Sequence, residues 1–203
     1  MLALIISMFS FSLSMSISPG PVNLTILNSS MNYGLRQTWG FISGATIGFT
    51  ALLASVCFGL YQIIVMYPLL LDAIALFGTA LLVWIGWNIL KAKTDAIDVE
   101  NLEHQRVPTF MKGALMQWLN PKAWIAAVSG TALFSASAQP KALAIFVLIY
   151  FLTCYFSLLI WGYAGDKLAH FLNEPIKARI FNVVMGTLLI GIALHMYWSH
   201  FML

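Results

Sequence analysis

The sequence predicts an all-α membrane protein with six transmembrane helices in two inverted three-helix repeats, and with broken helices 1 and 4. Three observations predict it. The 203 residues are 61% hydrophobic and 8% charged, with a mean hydropathy of +0.88. The apolar residues gather into six stretches long enough to cross a bilayer. Two of these stretches carry proline breaks in matching places.

A soluble domain carries ~25% charged residues. With so few charges, most of the surface must face membrane lipid instead of water. Spans and loops use almost the whole chain. Residues 1–203 therefore read as a single transmembrane domain: repeat 1 at about 1–92, a linker at 92–109, and repeat 2 at about 110–203.

A bilayer core takes ~20 apolar residues per helix. Helix 1 is expected over Leu2–Met31, helix 2 over Trp39–Met66 and helix 3 over Leu69–Leu90. Helix 4 is expected over Thr109–Ser135, helix 5 over Ala142–Gly165 and helix 6 over Ile180–Trp198. No charged residue precedes Arg36, so the basic region that opens a signal peptide is missing, and helix 1 reads as a retained span.

Six spans alternate the loops between two sides. One side receives Arg36, Lys91, Lys93, Arg106, Lys112, Lys167, Lys177 and Arg179, whereas the other receives only Lys141. The basic side is expected to be cytoplasmic. Both termini then lie outside and the 92–109 linker lies inside. That linker holds Asp95, Asp98, Glu100 and Glu103, and such a run reads as a solvated connector, with a regulatory contact as the alternative.

Helix 1 contains Ser18-Pro19-Gly20-Pro21-Val22-Asn23, and helix 4 contains Gln117-Trp118-Leu119-Asn120-Pro121-Lys122. Each proline removes a backbone donor and clashes with the preceding turn, so both helices must bend or unwind there. The breaks fall in the first helix of each half. Three spans per half give the halves opposite orientations, and interrupted helices in matching places point to a transport site. Unwound backbone is costly in lipid unless it lines a cavity. A half-helix starting at Pro21 offers free N–H groups and a positive dipole end, which suit a carboxylate. Kinks that merely shape packing are the alternative.

The expected binding residues are therefore Pro19, Gly20, Pro21, Asn23, Gln117, Asn120, Pro121 and Lys122. Lys122 lies ten residues beyond Lys112, or ~15 Å along a helix, which puts it near mid-membrane. There it could meet a carboxylate, an unwound carbonyl or a bound ion's counter-charge. The coupling candidates are Lys122 and Asp72, the one acid near the inside of a span, which could equally complement a helix start. Asn28, Ser29, Asn88 and Asn182 read as interhelical hydrogen-bonding residues, and His195 as interfacial. Gly40, Gly44 and Gly48 form a small-residue stripe for close packing against a neighbouring helix, or for a homodimer.

The net charge of +3 lies at span ends and is no nucleic-acid signal. Cys57 and Cys154 form no CxxC pair, and the histidines at 104, 170, 195 and 200 are scattered. No metal set, no Ser–His–Asp group and no phosphate loop appears within the spans, so neither a cofactor nor an enzyme activity is expected.

Pro19-Gly20-Pro21 with Asn23, Tyr33-Gly34-Leu35-Arg36 and the Gly40/Gly44/Gly48 ladder are motifs by which the chain resembles the LysE/RhtB family of amino-acid exporters. The resemblance continues in Gly78, Trp84, Gly86 and Trp87, in Phe110-Met111-Lys112-Gly113, and in Leu119-Asn120-Pro121-Lys122-Ala123. It implies efflux of amino acids across the bacterial inner membrane by proton-coupled antiport. The family's lysine and arginine exporters carry an acid in helix 2, and this chain has none from Gly40 to Met66. That departure implies neutral cargo such as threonine, homoserine, leucine, or cysteine and O-acetylserine. An ion or small-solute channel is the competing class, but channels need a continuous polar lining, and the spans hold few polar residues.

Overall fold

The computed structural model describes residues 2–67, 69–91, 109–135, 140–169 and 175–202. The 92–109 linker, with its acids, lies outside them except for Thr109, as do His104 and His170. All the regular structure among the described residues is helical.

Helix α1 spans Leu2–Ile17 and α2 spans Pro21–Tyr33; the two meet at a bend of 56° across the Pro19-Gly20 break. Pro21 sits at the start of α2, where its missing N–H costs nothing. Gly34 then turns the chain with φ +80°, a left-handed conformation that favours glycine. The turn is held from across the molecule: the Leu35 amide donates to Asp166 Oδ1 at 2.9 Å.

Helix α3 (Leu35–Ser55) runs through a π-helical turn at Val56–Leu60 into α4 (Tyr61–Met66). A π turn adds a residue to the helical repeat without a proline. Helix α5 spans Leu69–Lys91, with Asp72 in its first turn and Lys91 in its last, both complementing the helix dipole. The Lys91 ammonium also lies 4.7 Å from the centre of the Trp87 ring.

The second half opens with α6 (Phe110–Trp118), capped by the Thr109 hydroxyl. Helix α7 (Pro121–Ser135) follows the second break. Helices α8 (Pro140–Ala169) and α9 (Pro175–Phe201) complete the chain. Helices 5 and 6 thus extend several residues beyond their apolar stretches. Hydropathy marks where a helix meets lipid, whereas backbone hydrogen bonding continues into the interface.

Four helical stretches are long and apolar enough to cross a membrane: Leu35–Ile64, Leu69–Lys91, Lys141–Ala169 and Arg179–Trp198. The bent α1–α2 pair makes a fifth. Helices α6 and α7 have 9 and 15 residues, so neither is long enough to span alone. The chain is a multi-pass membrane protein.

Helix α3 is the central element. Its Phe41, Ile42, Ala45, Phe49, Leu52 and Leu53 are buried. It packs against α6 and α8; α8 also covers α1 and α2, and α5 pairs with α9. The α3–α6 approach is closest at the glycines. A Cβ on Gly44 would collide with the backbone of Phe110, and one on Gly48 would lie 2.5 Å from Ala114 Cα. Gly113 of α6 returns the contact against Phe41 and Ala45. Gly40 stands at the edge of this seam, its Cβ position 4.0 Å from the Phe110 amide. The close approach that the stripe permits is therefore made inside one chain. Large apolar residues such as Leu2, Phe77, Leu133 and Ile180 point outward, a surface suited to lipid.

Candidate functional site

A helix that stops leaves its last carbonyls without amide partners. Inside a membrane such groups must be satisfied by the protein. At the end of α1 the accounting closes residue by residue. The Ser18 hydroxyl donates to Met15 O at 3.3 Å, and the Asn23 amide donates to Ser16 O at 2.8 Å. The Trp161 indole N–H of α8 donates to Ile17 O at 3.1 Å. Lys122 takes the last two: its Nζ donates to Ser18 O at 2.7 Å and to Pro19 O at 3.3 Å, and also to Ser18 Oγ at 2.8 Å.

The second break is treated similarly. The Trp124 indole N–H donates to Trp118 O at 2.6 Å, as that of Trp161 does at the first. The Asn120 amide N–H donates to Gln117 O at 3.2 Å. The Asn120 side-chain oxygen accepts from the Lys122 amide at 3.1 Å and so opens α7. Its Nδ2 reaches Gln117 Oε1 at 3.4 Å. Gly78 of α5 lies under this break; a Cβ there would stand 2.8 Å from the Pro121 ring.

The two breaks face one cavity. Asn23, Gln117, Asn120 and Lys122 all line it, so four of the polar residues expected from the sequence share one space. Pro19, Pro21 and Pro121 are not among its lining residues: Pro21 and Pro121 start the half-helices α2 and α7, and the Pro19 carbonyl accepts from Lys122. Gly20 gives Lys122 passage: a Cβ there would lie 3.0 Å from both Cδ and Nζ of the lysine. Asp72 stands apart from the lining, half-buried in the first turn of α5. His195 is exposed on α9.

Sequence reasoning missed Ser16, Phe49, Tyr150 and Cys154, which complete the lining with Met15, Val22 and others. Ser16 is buried beside them. Tyr150 and Cys154 sit on α8, whose near-uniform apolar sequence gives no periodicity to mark an inward face.

Beside the cavity, aromatic rings from four helices stack into one another. Tyr150 packs on Phe49 at 4.6 Å and on Phe146 at 5.6 Å between ring centres. Phe146 meets Phe134 at 4.7 Å, and Phe134 meets Phe11 at 5.9 Å. Gly130 leaves room for this cluster, since a Cβ there would lie 2.6 Å from the Phe146 ring. The cavity offers about 30 Å³ to the centre of a water molecule. That is room for about two waters. A cavity of that size does not hold an amino acid as it stands.

Residues 13–200 match the family model described as LysE type translocator. The cysteine/O-acetylserine efflux proteins of Escherichia coli strain K12 and Shigella flexneri serotype 5b are each 24% identical over 199 residues, covering 96% of this chain and 98% of theirs. No solved structure matches the chain.

Proposed function

This chain belongs to the LysE type translocator family and is a transporter, not an enzyme; on that premise we propose that it exports neutral amino acids across the bacterial inner membrane by alternating access. One observation carries the reading: two helix breaks, far apart in sequence, converge on a single polar cavity lined by Asn23, Gln117, Asn120 and Lys122. The first turn of α2 presents the Val22 and Asn23 amides, and its dipole favours the cargo carboxylate.

The lining contains no aspartate or glutamate. A cationic side chain would have no counter-charge there, which supports neutral cargo. The relatives named for cysteine and O-acetylserine efflux make those two the first candidates. Coupling to protons through Lys122 or Asp72 completes the proposed antiport cycle.

The packing supports an inverted repeat with α6–α7 as its fourth span. Exchange α1–α2 for α6–α7, α3–α4 for α8, and α5 for α9. The arrangement of neighbours then maps onto itself. Helix α8 against α1 and α2 answers α3 against α6 and α7, while the α3–α8 and α5–α9 pairs are their own counterparts. Halves so related can rock about the cavity between them. The aromatic cluster would then be the barrier on the side of the termini. The excess of basic residues on the other side supports putting that barrier outside the cell, with the 92–109 linker in the cytoplasm.

The test is efflux from cells preloaded with a panel including cysteine, O-acetylserine, threonine, homoserine and leucine, with and without the protein. Faster, saturable loss that stops when the proton gradient is collapsed is the expected result. Non-saturable flux would favour a channel. No change for any amino acid, with the protein present in the membrane, would overturn the cargo class.

A further inference from the structure

We infer that the oxygens at the end of α1 form a primary-ammonium site, held by Lys122 when the carrier is empty and taken by the cargo's α-ammonium when it is loaded. The inference rests on the amino-acid reading above and deepens it. A zwitterion needs acceptors as well as donors. The amides of α2 supply donors, but the cavity lining supplies no carboxylate.

The oxygens gathered around Nζ are Ser18 O, Ser18 Oγ and Pro19 O, at 2.7, 2.8 and 3.3 Å. An ammonium has three N–H donors, and here each has an acceptor. The Ser18 hydroxyl proton is directed to Met15 O, which leaves the oxygen's lone pairs for the cation. The negative end of the α1 dipole lies at the same place. The cradle is therefore complete for one R–NH₃⁺ group. The other carbonyls freed at this helix end are met by neutral donors, from Ser18, Asn23 and Trp161. Only this pair is served by a charge.

Lys122, on α7, lines the cavity and donates to the Ser18 and Pro19 oxygens, and so ties one break to the other. With its three donors engaged it has none left for a cargo carboxylate. An entering amino acid that places its own ammonium in the cradle satisfies the same oxygens and releases the lysine. The released ammonium is then free to turn towards the carboxylate. Two positive groups and one carboxylate become arranged around the cavity, and the Lys122 tie between the two breaks is cut at the moment the cargo is seated.

The experiment uses purified full-length protein in detergent and reads Tm. Lys122→Ala is expected to lower Tm by roughly 5 °C. Ethylammonium chloride should restore at least half of the loss, whereas tetramethylammonium chloride, which has no N–H, should not. Wild-type protein should respond much less to ethylammonium, which there must displace the tethered lysine and brings no carboxylate to receive it. Adding Ser18→Ala to the Lys122→Ala protein should weaken the ethylammonium effect. Should Lys122→Ala fail to fold, Lys122→Met keeps the apolar stem and serves in its place. Equal effects of the two salts, an unchanged Tm in the variant, or an equal ethylammonium response in the wild type would each overturn the site. Because no transport is measured, failure here leaves the efflux result standing, and failure of efflux leaves the amine result standing.

Discussion

Gly86 of α5 and Gly186 of α9 press their backbones together: a Cβ on Gly86 would lie 3.0 Å from the Gly186 carbonyl oxygen, and a Cβ on Gly186 would lie 2.7 Å from that of Gly86. The surroundings are reciprocal. Ile190 packs over Gly86, and Leu90 packs over Gly186. Each residue stands one hundred positions from its counterpart, as Pro21 does from Pro121.

At this crossing a methyl group has nowhere to go. Gly186→Ala would bring its Cβ within 2.6 Å of Leu90 Cγ as well as onto the Gly86 carbonyl, and neither atom is the free end of a side chain. Gly86→Ala would bring its Cβ 2.7 Å from Ile190 Cγ1 and 3.0 Å from the Gly186 carbonyl oxygen, a slightly looser fit on both counts. Overpacking costs ~1–3 kcal/mol. Gly186→Ala is expected at the upper end of that range and Gly86→Ala at the lower, measured as Tm in detergent. The reverse order would mean that α9 moves more easily than α5.

Gly44→Ala is expected to destabilise strongly, because the α6 backbone at Phe110 occupies the space. Its oligomeric state, measured by light scattering, should match the wild type's, since the seam is internal. A change from dimer to monomer would assign the stripe to a second copy.

Asn23→Ala removes the donor that satisfies Ser16 O and leaves a buried carbonyl exposed to the cavity. The expected loss of stability is ~1–2 kcal/mol, with a much larger fall in efflux rate. Asn120→Ala removes the cap of α7, worth ~1 kcal/mol, and should likewise abolish efflux while the protein stays in the membrane. Normal efflux by both variants would remove these residues from the transport site.

Trp161→Phe keeps the ring but loses the N–H on Ile17 O. A loss of ~1–3 kcal/mol in stability is expected. Trp124→Phe should behave alike at the second break, where Trp118 O is left bare. Unchanged Tm values would show that water reaches these carbonyls.

The breaks themselves were legible in the sequence because an interior proline removes a backbone donor and clashes with the preceding turn, so the helix must bend or break there. The polar residues beside them were legible for a similar reason: amides and a lysine amid apolar residues need a local cause. Partnership was not legible. Nothing in Trp161 or Trp124 announces that its indole serves a carbonyl 144 or 6 residues away. The π turn at Val56–Leu60 carries no proline signal. Tyr150 and Cys154 were hidden because an all-apolar helix buried on one side and bathed in lipid on the other shows no amphipathic stripe. The helix ends were read short for the reason that lipid and hydrogen bonding stop at different places.

One hundred residues after Pro21-Val22 comes Pro121-Lys122, so a buried valine in one half stands where the other half has an ammonium. A carrier with identical halves would have two facing states of equal energy, since exchanging the halves turns one into the other. Here one half owns the cation and the other owns the oxygens that hold it. In the proposed alternating-access cycle, inward and outward states so built would sit at different energies, and the affinities on the two faces of the membrane would differ accordingly. Microscopic reversibility forbids that difference from driving net flow. It sets the side on which the carrier saturates first, while the sign of transport is left to the gradients on either side of the bilayer.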